Sequence, residues 1–536
     1  MTASVTQLPG HSRARCASPG LHAGALLLFL VALFVGSPRA ETGDTRLIQA
    51  VKRGDSATAR TLLRQGVSAK VADADGTTAL HWAVRANDVD VAKALLAAGA
   101  PPSAADRYGV TPLALAAQNG TPGAIDLLLK AGANPNAVTT AGETVLMTAA
   151  RTGQPEAVRL LLARGARVDG REKAFGETAV MWAAGQNHGP VIRLLAAAGA
   201  DLNVQSTVID LPPVKVDLAT MVTTALPRGG MTALHYAARE GAPDAAVALA
   251  ESGANLNVVD PDGLTALVLA IVNSHFDVAA RLVEKGADPN VGDKSGMAAL
   301  YAAVDMVYPP NLLNRPKMTP TGPPTAAGLV TMLLSRGANP NQTLKTPTLM
   351  RQHNTGDAAM GDGATPLMRA SQVPDLALIR ALLDAGANPS LAMRNQTTAP
   401  MLVMAGGRGG GGRAVTPDTP AYQALELMLK KGADVNAPNA SGETLLHQAI
   451  PRGEALVKLV ASHGAKLDIK DKSGRTALDV AMGVPAAAAP AGRGGRGGAR
   501  AAGPGPGGPG AAAAPPQVNE AVVAYLRERM AAEPAR

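Results

Sequence analysis

Cysteine is all but missing from this chain. The one cysteine, Cys16, lies ahead of an apolar run near the N-terminus, so the remainder can form no disulfide and must hold together by packing. Aromatic residues are nearly as scarce, with two Trp, six Tyr and four Phe among 536 residues. Large globular cores draw much of their bulk from such rings, so a core of Ala, Leu and Val implies thin layers packed closely together. Catalytic signatures are lacking too. There is no HExxH, no GxSxG and no pair of CxxC motifs, and nothing in the pattern of residues predicts an enzyme.

A basic binding face is also missing, despite a formal net charge of +8. Arg13, Arg15 and Arg39 stand in the first 40 residues without an acid, which leaves +5 for the rest. Arg408, Arg413, Arg493, Arg496 and Arg500 sit in Gly-rich tracts, and what remains is close to neutral. Arg13 and Arg15 precede the run ALLLFLVALFVG (residues 25–36), which small residues follow. That order of charge, apolar run and small residues predicts a signal peptide over residues 1–40 and export of the mature chain to the periplasm or beyond. Cleavage after Ala40 would put the unfavourable Pro38 three residues before the cut, and a retained N-terminal anchor is the alternative.

What is present is repetition. TALHWA (residues 78–83) returns as TALHYA (residues 232–237). The position between Thr and Leu in that phrase recurs as Ala79, Pro112, Val145, Ala179, Ala233, Ala266, Ala299, Pro366, Pro400, Leu445 and Ala477. A glycine series interlocks with it: Gly66, Gly99, Gly132, Gly165, Gly199, Gly253, Gly286, Gly337, Gly386, Gly432 and Gly464. In most units the glycine follows its marker by 20 residues and precedes the next by 13. Threonine suits a helix N-cap and proline the position after it. A Leu-Leu pair closes a second helix, glycine its left-handed cap, and segments such as DADG read as a hairpin turn. One such helix pair cannot bury its apolar face alone, so the units must stack.

The segment GVTPLALAAQNGTPGAIDLLLKAGANPNA (residues 109–137) resembles an ankyrin repeat. The resemblance implies an all-α repeat solenoid of about twelve units, each a helix-turn-helix with a short β-hairpin or loop. The array is expected over residues 41–483, with insertions near 205–227, 306–324, 345–361 and 406–417. A Gly/Ala/Pro/Arg linker follows over 484–515, then a C-terminal capping helix and tail over 516–536. No stretch outside the repeats exceeds that linker, which is too poor in apolar residues to fold as a hidden catalytic domain.

His81, His235 and His447 share a slot that elsewhere holds Met147, Met181, Val268 and Met368, so the slot reads as architecture and no metal site is expected. His81 and His235 should also lie roughly 35 Å apart, at about 8–10 Å per stacked helix. GRGGGG (residues 407–412) matches GxGxxG, yet it follows no strand and reads as linker, so no nucleotide or other cofactor is expected. The Arg-Gly tracts lack interleaved aromatics, and no nucleic-acid partner is expected.

Five of the scarce aromatics fall between residues 82 and 236, in two repeat slots. Trp82, Trp182 and Tyr236 follow the histidine slot, and Tyr108 and Phe175 precede the turn glycine. In ankyrin arrays the turns and first helices line the concave face, so the resemblance makes all five candidate partner-binding residues. For Trp82, Trp182 and Tyr236, filling space between neighbouring first helices is the competing role. The expected function is a non-catalytic protein-binding scaffold, monomeric and without stable membrane insertion after signal cleavage. A secreted effector binding host proteins, or an accessory or protective subunit of an envelope enzyme, are the alternatives.

Overall fold

A computed structural model describes residues 44–209, 229–308, 319–347, 360–405, 415–485 and 518–532. The expected signal segment, the central parts of the four insertions, and most of the 484–515 linker lie outside the described residues. Within them, helices alternate in pairs. Arg46–Lys52, Ala79–Arg85, Pro112–Gln118, Val145–Thr152, Ala179–Gly185 and Ala233–Glu240 are the first helices of the N-terminal units. Ser56–Arg64, Val89–Ala97, Pro122–Lys130, Pro155–Ala163, Gly189–Ala197 and Pro243–Glu251 are their partners. Each first helix packs on its own partner and on the next first helix, and the second helices form a parallel row of their own. The result is a helical repeat solenoid.

The caps explain where each helix begins and ends. Thr111 stands extended at the N-cap, and its hydroxyl accepts the Ala114 N–H at 3.2 Å. Thr265 does the same for Val268 at 3.3 Å. At the other end Gly132 adopts φ +89°, a conformation that lets the chain leave the helix at little cost. One marker moves. Thr398, not Ala399, is the N-cap of Ala399–Met404, so the repeat residue of that unit is Ala399 and Pro400 is second in the helix. Gly386 then precedes the marker by 13 residues, as in most other units.

The hairpins are thinner than expected. Among the described residues there is no strand, only isolated antiparallel bridges such as Ala72↔Thr78 and Val138↔Thr144. The tips are tied to one another instead. The Arg107 N–H donates to the Asp75 carbonyl at 2.8 Å, Thr140 to Tyr108 at 2.8 Å, and Lys173 to Ala141 at 2.9 Å. This close approach is why the tip needs glycine: at Gly109 (φ +78°) a Cβ would stand 2.9 Å from the Val138 carbonyl oxygen.

Small residues set the layer spacing. Ala116–Ala117, Ala149–Ala150 and Ala183–Ala184 are fully buried where first helices meet, and leucines such as Leu128 and Leu161 fill the gap to the second row. The helix Glu520–Ala532 packs against Ala477–Ala481 and Glu454–Ser462.

The repeated histidine is a joint between units. The Thr78 N–H donates to His81 Nδ1 at 3.1 Å, and His81 Nε2 faces the Val110 carbonyl of the next unit at 3.1 Å. A carbonyl only accepts, so Nε2 carries the proton and Nδ1 is bare. His235 repeats this between Thr232 and Leu264, and His447 between Thr444 and Arg475. Methionine can stand in because its sulfur takes the same N–H, as Met147 does from Thr144 at 3.4 Å.

A second histidine type, His275, caps a second helix and bonds the Arg239 carbonyl at 3.1 Å. Burial holds His81, His235 and His275 below the ordinary histidine value. Below about pH 6.5 the unfolded chain therefore takes up protons that the folded rings refuse. Stability is fully present above that value and is lost as pH falls through it toward the lower folded values. The melting temperature should drop between about pH 7.5 and pH 5, and the His81→Met/His235→Met variant should show a shallower drop. Equal slopes for the variant and the parent in a thermal melt series would refute this.

Candidate partner-binding surface

The hairpin tips present Tyr108 and Phe175. At the first, Asp106 Oδ1 accepts the N–H groups of Tyr108 and Val110, both at 2.8 Å, which fixes the turn from within. At the second, Glu172 is buried and takes the N–H groups of Ala174 and Phe175, each at 2.6 Å. Both turns leave their ring about half exposed. Tyr108 is 54% exposed and Phe175 49%. The Arg107 guanidinium lies 4.9 Å from the Tyr108 ring centre.

The first-helix slot behaves differently. Trp82 and Trp182 are half-buried, while Tyr236 is only 7% exposed. The Trp182 indole N–H donates to Glu177 Oε2 at 2.8 Å, and the Tyr236 hydroxyl of the next unit donates to Glu177 Oε1 at 2.6 Å. Burial raises the Tyr236 hydroxyl's pKa well above its ordinary value, and the bond to Glu177 adds to the shift. Tyr236 is thus a packing residue, and it leaves the set of exposed candidate contacts. Trp82 Nε1 is closed off from solvent and has no hydrogen-bond partner among the described residues.

Every one of these slot aromatics carries a cation on its face. Lys52 lies 4.7 Å and Arg85 5.6 Å from the Trp82 ring centre, Arg151 4.8 Å from that of Trp182, and Arg239 4.8 Å from that of Tyr236. Counting from the residue after the threonine cap, the rings occupy position 4 and the cations position 7. Position 7 of one unit meets position 4 of the next in Lys52–Trp82 and Arg151–Trp182. In the later units the same pair of positions holds an ion pair, Asp305–Arg369, with Arg369 Nε 2.6 Å from the carboxylate. Sequence reasoning found the rings and missed the cations and Glu177. The available signal was an Arg or Lys in the last turn of first helices that carry no acid.

The structure therefore brings Trp182 and Tyr236 together through Glu177, places Trp82 at the N-terminal end of the same row, and sets Tyr108 and Phe175 apart on their tips. A cleft of about 960 Å³ opens elsewhere, lined by His447, Arg452, Val480 and Glu520 among others, and none of the candidate residues reaches it. Among the described residues no group of three or more His, Cys, Asp or Glu is arranged to hold a metal ion, and no helix is long and apolar enough to cross a membrane.

Threonine-capped and glycine-capped helix pairs, with tips chained backbone to backbone, define a helical repeat protein. The chain belongs to the ankyrin repeat family. Ankyrin repeats match residues 47–139, 113–206, 218–293 and 414–484, and a single ankyrin repeat matches residues 362–394. Among solved structures, the ankyrin repeat domain of human ASB11 is similar at 25% identity and a TM-score of 0.37, covering 46% of this chain and 99% of that one. No curated protein matches. Ankyrin repeats are in general protein–protein interaction modules, and the family is typically non-catalytic.

Proposed function

We propose that the chain is a non-catalytic scaffold of about twelve ankyrin units. It binds one protein partner across the face formed by its first helices and hairpin tips, the concave face in ankyrin arrays. We further propose that it works as a monomer in the periplasm or outside the cell, delivered there by the segment 1–40. The observation that carries the binding reading is the exposure of Tyr108 and Phe175 in a chain with so few aromatics. Rigid, exposed rings on a preformed surface are favoured anchors and lose little entropy on binding.

Affinity capture from the native envelope, read by mass spectrometry, tests it. Tyr108→Ala with Phe175→Ala should weaken capture about tenfold or more and leave the melting temperature unchanged. Capture at parental strength would refute the surface. A melting temperature lowered by several degrees would show these rings to be core.

A further inference from the structure

The charges on the two helix rows follow different rules. Second helices such as Pro122–Lys130 and Pro155–Ala163 carry both signs and pair them along their own length, as in Lys130–Asp126 and Arg159–Glu156. The first helices from Arg46–Lys52 to Ala179–Gly185 contain no acid at all, yet Lys52, Arg85 and Arg151 stand in the last turn of three of them. A cation at a helix C-terminus answers the helix dipole, but that preference does not remove acids from five successive helices. All three side chains are exposed, and among the described residues none has a carboxylate within ion-pair distance. Arg239 continues the row and already shares Glu240 at 2.8 Å.

We propose that this row binds an acidic, extended segment of the partner protein, with Asp or Glu side chains laid along Lys52, Arg85 and Arg151. The proposal rests on the reading of this face as the partner surface and adds the chemistry of what it holds. Adjacent helices are spaced about 10 Å and extended chain advances about 3.3 Å per residue, so roughly nine residues span the row. A protein segment fits better than nucleic acid because the ring faces are already covered by the chain's own cations, which leaves bases no platform to stack on.

Fluorescence anisotropy of the full chain, with labelled oligo-glutamate, oligo-lysine and single-stranded DNA probes, tests this. Oligo-glutamate should bind and weaken steeply with salt, and oligo-lysine should not bind. Lys52→Glu/Arg85→Glu/Arg151→Glu should weaken oligo-glutamate binding at least tenfold. The control Arg60→Glu/Lys93→Glu/Arg159→Glu, on second helices and with the same change in net charge, should stay within twofold. A melt of each variant checks folding, and the three probes on the parent chain decide the question if the triple variant unfolds. No oligo-glutamate binding, equal binding of oligo-lysine, or tighter binding of the DNA would overturn the proposal. Partner capture that survives the triple reversal but is lost with Tyr108→Ala/Phe175→Ala would sink the acidic segment and leave the scaffold reading standing.

Discussion

Replacing Arg369 with methionine should destabilise the array by roughly 3 kcal/mol, because it breaks an ion pair nearly closed to water. The side chains of Arg369 and Asp305 are only 8% and 10% exposed, with Nε 2.6 Å from the carboxylate. Arg369 also donates to Gln372 Oε1 at 3.0 Å and to the Tyr308 carbonyl at 3.4 Å. One side chain thus ties the helix Ala299–Val307 to Pro366–Ser371. In a stacked array stability is close to a sum of unit terms and neighbour terms, and this substitution strikes a neighbour term. Urea unfolding followed by circular dichroism should show a lower midpoint and a transition that broadens or splits. Adding Asp305→Leu removes the other charge of the pair as well and should recover most of the loss. By contrast, Arg159→Ala removes an exposed pair and should cost no more than about 0.5 kcal/mol. A single sharp transition at the parental midpoint for Arg369→Met would refute the idea that this pair couples the units.

The contrast between these two arginines marks what a sequence can and cannot disclose. Thr111 and Gly132 are legible because backbone geometry demands them: an extended cap with a hydroxyl at one end, φ +89° at the other. Few residues satisfy either demand, so the identities repeat and the period shows. Where the cap is followed by two candidates the reading slips by one, as at Ala399 and Pro400, since both residues are compatible with a helix start. Positions 4 and 7 are a different case. The requirement there is mutual, and a Lys over a Trp, an Arg over a Trp, or an Asp against an Arg all meet it. The partners lie in different units and their identities do not recur, so no repeat template exposes them. Tyr108 and Phe175 could be placed from sequence because a hairpin tip offers little to pack against, and both are exposed. Trp182 and Tyr236 share a slot yet differ in burial, and the residue that links them, Glu177, belongs to neither slot.

Glu177→Ala should cost about 2–3 kcal/mol, the second large loss, because one carboxylate accepts from two donors at once. Its oxygens accept from Trp182 Nε1 at 2.8 Å and from the buried Tyr236 hydroxyl at 2.6 Å. Alanine removes both bonds at the joint between Ala179–Gly185 and Ala233–Glu240. Glu177→Gln should lose less, about 1 kcal/mol, since its oxygen can still accept from one donor while its amide group opposes the other. A double-mutant cycle with Tyr236→Phe isolates the bond. Removing the hydroxyl should cost at least about 1 kcal/mol in the parent chain and close to nothing once Glu177 is alanine, because the unpaired donor has then gone. Additive losses in that cycle would mean that Glu177 acts only through the turn that precedes Thr178. A weakened bond there should also surface as faster amide hydrogen exchange in Ala179–Gly185 and Ala233–Glu240. Exchange that rises in Glu177→Ala and falls back in Glu177→Gln would place this carboxylate as the latch of that joint.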